Sequence, residues 1–249
     1  MSVVDISGLR AMDRFYVPNL PDSGSIRLSG PDAHHMLRVK RLQKGQTLVL
    51  FDGSGSEWTA VLENASGTTA SLRLIEKRSV SRELPCRIAM AVAPPRGDKM
   101  DLIVRKCAEL GLYLLVPIST RFTVLKPGPQ RIEHWRRISI EASKQCGRNL
   151  VMEVAEPVTF QAALALRPGY DLALLPDLSP EAPFIREALQ ASPAAASAIC
   201  IIGPEGGLTE AEREEAATAG FKSVRLFPST LTTEAAAIAA LAMLAYALQ

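Results

Sequence analysis

The sequence has few of the residues that characterise metal-binding or disulfide-bonded proteins. Its four cysteines are far apart, and no Cys-x-x-Cys pair or Cys/His cluster has the spacing of a zinc site. Two adjacent histidines, His34 and His35, have no third ligand at metal spacing, so we expect a surface or structural role for them. Dispersed cysteines are typical of reduced thiols, and we therefore expect a cytoplasmic protein that holds no metal.

Long apolar runs are missing as well, although 47% of the 249 residues are hydrophobic. The nearest approach to a membrane helix is the Ala-rich stretch at 235–248, which is shorter than the roughly 18–20 residues that a span requires. Residues 1–12 lack the basic start and apolar run of a secretory signal. We therefore expect no membrane association, and the length suits one large domain or two smaller ones.

A net charge of only +2 conceals an uneven distribution along the chain. Residues 86–150 hold twelve Lys/Arg against five Asp/Glu, whereas residues 151–249 hold five against twelve. A basic segment beside an acidic one indicates that one part alone meets a polyanion. The alternative is that the two segments neutralise each other inside the fold or across a dimer.

Hydrophobic periodicity divides the chain into two regions. The first contains short apolar or β-favouring runs, separated by turn residues, at 15–17, 47–51, 58–62 and 70–75. This close spacing predicts a small barrel, with a short helix or loop at 31–42. Beyond a boundary near 79–86, strand-like runs alternate with helical segments, which predicts a parallel sheet covered on both faces.

In the second region, Asp98 is positioned to cap a helix that ends at Gly111. A basic helix at 132–146 ends at Gly147, and its arginines form either a solvated face or a surface that holds phosphates. The predicted strands of this region lie at 87–93, 113–118, 150–154, 171–175, 198–202 and 223–227.

The first candidate for chemistry is the turn at 203–207, of sequence GPEGG. It directly follows an apolar strand and precedes a capping box formed by Thr209 and Glu212. Open α/β sheets bind ligands at the carboxyl ends of their strands, where glycines let a ligand approach the backbone. The turn lacks the Gly-x-Gly-x-x-Gly and Walker patterns, and a purely structural turn is the alternative.

The second candidate is the loop at 226–234, of sequence LFPSTLTTE, which joins the last strand to the Ala-rich last helix. Hydroxyl groups at a helix N-terminus can serve a ligand, although ordinary capping also explains them. Glu234 in the first turn suits the helix dipole. A third segment, 145–148, follows the basic helix and ends in Arg148.

Taken together, these segments resemble one family, the ribosomal small-subunit RNA uridine N3-methyltransferases (RsmE type) of the SPOUT superfamily. The resemblance runs from about Asp13 to the C-terminus. Its motifs are RFYV at 14–17, HHMLR at 34–38, GDKMD at 97–101, KCAELG at 106–111, EASKQCGR at 141–148, IGPEGGLT at 202–209, and Leu231 with TE at 233–234 and AA at 236–237. Each motif is weak alone, but their order and spacing are specific.

The resemblance implies an α/β protein with a PUA-like RNA-binding β-barrel at 13–80 and a SPOUT methyltransferase domain at 81–249. Residues 1–12 would be an N-terminal extension. The parallel-sheet domain is expected to be tied in a trefoil knot, which composition and periodicity do not reveal. The family also implies a homodimer.

The implied activity is S-adenosylmethionine-dependent methylation of N3 of a specific uridine in 16S ribosomal RNA of the small ribosomal subunit. We expect the cofactor in two loops and at one strand end. The predicted cofactor-binding residues are Leu174, Leu175, Ile202, Gly203, Pro204, Glu205, Gly206, Gly207, Leu226, Pro228, Leu231 and Thr233. The predicted RNA-binding residues are Arg14, His35, Arg38, Arg41, Arg96, Lys99, Arg136 and Arg137.

One departure from the family pattern concerns catalysis. The loop before the last helix usually contains two arginines, and here Ser229 and Thr232 occupy their positions. The reaction develops negative charge on uracil, so a nearby cation would stabilise it. We assign that role to Arg148, and we include Glu234 and Thr232 in the predicted catalytic set.

Two other functions remain open. An RNA-binding paralogue that has lost methyl transfer is favoured by the missing arginines and opposed by the intact turn at 203–207. A nucleotide-binding oxidoreductase is disfavoured because no Gly-rich fingerprint follows the first strand of the α/β region.

Overall fold

A computed structural model of the chain describes residues 12–249, in which two compact units are resolved. The first unit runs up to Glu83 and also includes Ser143–Val151, and the second comprises Leu84–Ala142 and Met152–Gln249. The predicted extension at 1–12 lies, apart from its last residue, outside the described residues.

The first unit is built on a five-stranded sheet. Its elements are β1 (Arg14–Tyr16), β2 (Ser25–Ser29), α1 (Pro31–His34), a π-helical turn (His35–Val39), β3 (Thr47–Phe51), β4 (Ser56–Ser66) and β5 (Thr69–Ser79). The strand order is β1-β3-β4-β5-β2, and all pairs are antiparallel except β1 with β3. Alternate residues of the strands, including Leu48, Leu50 and Trp58, form its buried core.

The sequence predicted four of these five strands. Strand β2 was missed because its sequence, SIRLS, exposes every second residue and only half-buries the others, which leaves a weak apolar signal. Two register shifts between β4 and β5, at Thr59/Ala60 and Leu62/Asn64, interrupt the ladder. Irregularities of this kind increase the local twist and bend of a sheet.

The second unit is built on parallel strands with helices between them. Its elements are β6 (Arg87–Val92), α2 (Lys99–Glu109), β7 (Leu114–Ser119), α3 (Pro129–Cys146, whose last residues are counted with the first unit), β8 (Glu153–Val154), β9 (Val158–Thr159), α4 (Phe160–Leu164), a 3-10 turn (Arg167–Gly169), β10 (Leu172–Pro176), α5 (Ile185–Gln190), β11 (Ser197–Ile202), α6 (Glu210–Thr218), β12 (Lys222–Val224) and α7 (Thr233–Ala247). The strand order is β12-β10-β11-β6-β7-β8, and β9 pairs with β7.

Both faces of this parallel sheet are buried, as predicted. In β6, Ile88, Met90 and Val92 pack on one face with residues of α2 and α7, while the alanines between them pack on the other face with α4 and α6. The sheet is therefore covered by helices on both sides.

Several boundaries differ from those predicted. Strand β12 ends at Val224 because Arg225 leaves β10 and bridges instead to Phe184. Asp98 occupies the N-cap position of α2, but its side chain makes no capping hydrogen bond. Gly111 and Gly147 do follow α2 and α3 with φ of 92° and 86°, a region that favours glycine.

The four cysteines are all free thiols. Cys86, Cys107 and Cys200 are buried in the second unit, and Cys146 is exposed. Between residues 12 and 249, no three His, Cys, Asp or Glu side chains are grouped so that they could hold a metal ion. Within the same residues, no helix has both the length and the apolar character for crossing a membrane.

Candidate functional site

A cavity of about 430 Å³ lies in the second unit where β10, β11 and β12 end. Adjacent parallel strands carry their carboxyl ends to the same edge of a sheet, so the three following loops meet there. The lining residues are Leu175, Pro176, Asp177, Leu178, Ile202, Gly203, Pro204, Glu205, Gly207, Leu208, Arg213, Leu226, Phe227, Ser229, Thr230, Leu231, Thr232, Thr233 and Ala236.

The glycine-rich turn after β11 forms one wall of the cavity. Gly207 has a φ of 73°, which L-residues with side chains rarely adopt. A Cβ on Gly203 would lie 3.3 Å from Cγ of Leu208, closer than ordinary packing allows. The sequence GPEGG therefore permits a tight turn in which glycines allow close packing at both ends.

The predicted capping box fixes the end of this turn and is confirmed. The backbone N–H of Glu212 donates to Thr209 Oγ1 at 3.2 Å, and the N–H of Thr209 donates to Glu212 Oε2 at 2.8 Å. The other oxygen of the buried Glu212 accepts the backbone N–H of Arg121 at 2.8 Å. One carboxylate thus joins the start of α6 to the loop that follows β7.

The N-terminus of α7 forms another part of the cavity wall. Thr232 is the N-cap residue, and its hydroxyl accepts the N–H of Ala235 at 3.4 Å. The hydroxyl of Thr233 donates to the carbonyl of Gly203 at 3.4 Å, which joins this loop to the glycine-rich turn. Thr232 therefore caps α7, as ordinary helix capping predicts, and both threonines also line the cavity.

Glu234 lies beside the cavity wall, with its Oε1 3.4 Å from Nζ of Lys99. Burial raises the pKa of this carboxyl, but hydrogen bonds from its own backbone N–H and from Thr232, together with Lys99, lower the pKa below its usual value. An ionised, paired carboxylate is a weak proton acceptor near neutral pH. Its geometry suits orientation of Lys99 better than general-base catalysis.

Three charged side chains are among the described residues that line the cavity. Asp177 accepts the backbone N–H of Leu178 at 2.7 Å, and Glu205 accepts that of Arg96 at 3.2 Å. Arg213, on α6, donates to the carbonyl of Leu208 at 2.7 Å. With two carboxylates and one guanidinium, the wall carries a net charge of −1, which favours a ligand with net positive charge.

Comparisons with known proteins identify this architecture. A sequence profile described as an RNA methyltransferase domain matches residues 82–245, and one described as an RNA methyltransferase PUA domain matches residues 28–75. Ribosomal RNA small subunit methyltransferase E of Synechocystis is 35% identical over 221 residues, which cover 88% of this chain and 72% of that protein. The chain belongs to the ribosomal RNA small subunit methyltransferase E family.

Further members of this family and their structures agree with the assignment. The Bacillus subtilis enzyme of the same name is 28% identical over 247 residues, covering 94% of this chain and 96% of the enzyme. The Neisseria gonorrhoeae enzyme, solved bound to S-adenosyl methionine, is 30% identical, with a TM-score of 0.86 over 94% of this chain and 96% of that one. A Legionella pneumophila methyltransferase with bound cofactor SAM is 30% identical, with a TM-score of 0.87 over 95% of this chain and 98% of that one.

These findings confirm the family, the α/β class with an N-terminal PUA-like domain, and the prediction of a methyltransferase. They give no support to an oxidoreductase.

Most of the predicted cofactor residues of this methyltransferase E family member line the cavity, namely Leu175, Ile202, Gly203, Pro204, Glu205, Gly207, Leu226, Leu231 and Thr233.

Three of the predicted cofactor residues do not line the cavity, namely Leu174, Gly206 and Pro228. Leu174 is fully buried in the sheet core, because it alternates with Leu175 along β10. A Cβ on Gly206 would lie 3.2 Å from Cβ of Phe122, so this glycine permits packing against another loop. A substitution at Gly206 would therefore disturb that packing, and it is a poor test of ligand contact.

Sequence reasoning missed the acidic strand end at Asp177 and the cation at Arg213. Asp177 follows β10, and only the strand order shows that β10 lies between β11 and β12. Arg213 could have been found from its position one turn after Thr209, on the helix that the capping box begins. The other residues missed were Pro176, Leu178, Leu208 and Ala236, whereas Phe227, Ser229 and Thr230 belong to the loop that was predicted to hold the cofactor.

Arg148, the predicted catalytic cation, lies in the first unit and does not line the cavity. Its side chain is 5% exposed, and Nη2 and Nε donate to Glu83 Oε2 at 2.5 and 2.9 Å. This buried ion pair, in which two guanidinium nitrogens donate to one carboxylate oxygen, gives Arg148 a structural partner. Its catalytic role stays a prediction.

Arg14 was predicted to contact RNA, but its guanidinium lies in the interior of the first unit. It donates to Glu57 Oε2 at 2.8 Å and to Asn149 Oδ1 at 2.6 Å, and its side chain is 5% exposed. Burial is the largest cause of a lowered Arg14 pKa. The RFYV motif therefore contributes to the core of this unit, and the geometry does not support a phosphate contact by Arg14.

The other predicted RNA-binding residues differ in availability. Arg38, Arg41, Arg96 and Arg137 are exposed, whereas His35 is half-buried with its ring 6.1 Å from that of Phe15. Two further cations are already paired. Arg136 contacts Glu133 and Glu156 at 2.5 and 2.9 Å, and Lys99 contacts Glu234.

Proposed function

We propose that this protein methylates N3 of one uridine in 16S ribosomal RNA, within the small ribosomal subunit, with S-adenosylmethionine as the donor. The observation that carries the proposal is the cavity at the ends of β10, β11 and β12, lined by residues that the family resemblance had assigned to the cofactor. Relatives named for this activity, and family structures that hold the cofactor, support it. We further propose a cytoplasmic homodimer with a barrel at 13–80 and a trefoil-knotted domain at 81–249.

The lining of the cavity fits this cofactor. A volume of about 430 Å³ is in the usual range for a small-molecule site. Leu175, Ile202, Leu226 and Leu231 provide apolar walls for a flat base, and the neighbouring hydroxyls and backbone groups can meet a ribose. The net charge of −1 on the wall complements a molecule whose sulfonium and ammonium groups outnumber its one carboxylate.

When bound, the cofactor supplies an electrophilic methyl group, and the chain must present uridine N3 to it. Uridine N3 carries a proton, and negative charge develops on uracil as that proton leaves. We propose that Lys99, held by Glu234 at the positive end of α7, stabilises this charge and so favours loss of the proton to water. Arg148, predicted from the sequence, is the alternative cation.

RNA binding is proposed to rest on exposed arginines in each unit. Arg38 and Arg41 belong to the first unit, and Arg96 and Arg137 to the second. Arginines of this kind contact phosphates and position the RNA without reading its sequence. N3 is on the pairing edge of uracil, so the target must be unpaired or drawn out of its helix before reaction.

Mass spectrometry of ribosomal RNA nucleosides tests the proposal. Cells that lack this gene should lose 3-methyluridine from small-subunit RNA and regain it on complementation. Purified protein should then transfer labelled methyl groups to small-subunit particles from the deletion strain.

The second candidate, a paralogue without methyl transfer, is favoured by one observation, the replacement of both loop arginines by Ser229 and Thr232. Binding of S-adenosylmethionine and RNA without any transfer in the same assay would establish it. Restoration of transfer by Thr232→Arg would identify the missing cation as the cause.

A further inference from the structure

Arg213 is a cation at the cavity wall that the family motifs do not include. It lies on α6, four residues after the N-cap Thr209. Its Nη1 donates to the carbonyl of Leu208 at 2.7 Å, and its Nη2 donates to Glu210 Oε2 at 2.5 Å. Because a guanidinium has five N–H donors, these two bonds hold it against the wall and leave donors for a ligand.

The other two charged side chains of the wall that the structure describes are negative, whereas Arg213 is positive. Asp177 and Glu205 are carboxylates whose oxygens accept backbone N–H groups. An anionic group of a ligand would be repelled from both. Among residues 12–249, Arg213 is therefore the one charged side chain of the lining that can attract such a group.

We propose that Arg213 binds the carboxylate of the amino-acid moiety of the methyl donor, through a charge-assisted hydrogen bond. This inference rests on the proposed function and deepens it, because it names the residue that binds the amino-acid moiety of the cofactor. The apolar walls cannot recognise that charged moiety. The site then distinguishes the complete donor from adenine nucleosides that lack the amino-acid moiety. Arg213 is a cofactor-binding residue in this scheme and takes no part in methyl transfer.

The rival explanation is that Arg213 only braces the turn through Leu208. The two roles differ in one measurable respect. Bracing affects every ligand of the cavity, whereas a carboxylate contact affects only ligands that have a carboxylate. 5′-Methylthioadenosine lacks the amino-acid moiety and also the sulfonium charge. The roles are therefore separated by how far a change at Arg213 weakens each ligand, and not by the difference between the two ligands in the wild type.

Calorimetry on the full-length protein provides the test. Arg213→Met should weaken S-adenosylmethionine binding by about 10- to 100-fold, the usual effect of losing a hydrogen bond to a charged group. Affinity for 5′-methylthioadenosine should stay unchanged, and Arg213→Lys should lose less than Arg213→Met. Arg105→Met, at an exposed arginine of α2 that does not line the cavity, is the matched control and should bind both ligands normally.

Equal losses of affinity for both ligands, or no loss for either, would overturn the proposal.

Should Arg213→Met fail to fold, two measurements replace it. Arg213→Gln keeps an N–H donor for Leu208 without the charge and should show the same selective loss. Wild-type protein should also bind decarboxylated S-adenosylmethionine at least about tenfold more weakly than the complete donor, and equal affinity would exclude the contact. A wild type that binds 5′-methylthioadenosine and the complete donor equally well overturns this inference alone, whereas one that binds neither also overturns the proposed function.

Discussion

Lys99 contacts Glu234 in the first turn of α7. Glu234 is two residues after Thr232, and Thr232 occupies the position where the family pattern has an arginine. We expect Lys99→Met to slow methyl transfer to small-subunit particles by roughly a hundredfold, because charge that develops on uracil loses its stabilising partner. Cofactor affinity, measured by calorimetry, should not change, since Lys99 does not line the cavity.

Lys126→Met, at another exposed lysine of the basic segment, is the control and should keep normal activity. Adding Thr232→Arg to Lys99→Met should restore much of the rate by returning a cation to this loop. Should Lys99→Met transfer methyl groups normally while folded Arg148→Ala does not, Arg148 is the catalytic cation, as first predicted.

Glu57 has a different role, inside the first unit. Its Oε2 accepts Nη1 of Arg14 at 2.8 Å and Nη1 of Arg82 at 2.9 Å. Burial raises the pKa of the carboxyl, but the hydrogen bonds and charges of Arg82 and Arg14 outweigh it and lower the pKa below the ordinary 4.5. The ion pairs therefore contribute stability above that pH, and the contribution is lost as the pH falls through the lowered pKa.

We expect Glu57→Gln to lower the free energy of unfolding at neutral pH by roughly 3–5 kcal/mol, because the buried guanidinium of Arg14 and the partly buried one of Arg82 lose their counter-charge. Urea denaturation at several acidic and neutral pH values should show that the variant lacks part of the acid sensitivity of the wild type. Glu63→Gln, in an exposed pair with Arg73, should cost less than about 1 kcal/mol. Equal stability of Glu57→Gln and wild type at neutral pH would contradict this account.

At the scale of elements, α7 contributes a wall to the cavity through its first turn, where Ala236 faces the space. In Ala236→Phe, a ring would occupy part of the 430 Å³, so S-adenosylmethionine affinity should fall at least about tenfold. Ala242→Phe, on the exposed side of the same helix, should bind normally. Normal binding by a folded Ala236→Phe would mean that the cofactor does not enter this cavity.

Elements whose signal is local could be predicted from the sequence, and others could not. β3 has the predicted bounds, Thr47–Phe51, because a continuous apolar run ends at turn residues on both sides. β12 was placed at 223–227, but pairing with Phe184 rather than β10 ends it at Val224. A change of partner is a tertiary event that periodicity does not encode.

The same distinction explains the cavity. The turn at 203–207 and the loop at 226–234 were predicted because glycines and hydroxyls mark them in the sequence. Asp177 has ordinary sequence surroundings, and it reaches the cavity only because β10 lies between β11 and β12. Strand order depends on long-range pairing, and one sequence without relatives does not reveal it.

For the whole molecule, ion pairs support one alternative for the charge asymmetry, in which the two segments neutralise each other, and contact with a polyanion stays a prediction. Lys99 pairs with Glu234, and Arg136 pairs with Glu156, so two cations of the basic segment have partners in the acidic one. Other arginines of the chain, including Arg38 and Arg41, are exposed. RNA is therefore expected to meet this remaining set, and not the whole basic segment.

The affinity for RNA should consequently depend on a few phosphate contacts. We expect Arg38→Glu with Arg41→Glu to weaken binding to all RNA sequences alike and to reduce the slope of log affinity against log salt by about one per contact. Arg186→Glu, at an exposed arginine of the acidic segment, is the control. A salt-independent affinity, or an effect confined to one RNA sequence, would be incompatible with phosphate binding.

Only Cys146 of the four free thiols is exposed, and this gives the protein a built-in reporter. Burial raises the pKa of Cys107 to about 12 and that of Cys200 further, so neither forms the thiolate that reagents attack. A maleimide dye would therefore mark the folded protein at the last residue of α3. The remaining thiols would react with the same reagent only when the second unit unfolds, and the rate of their labelling would therefore report the rate of that unfolding.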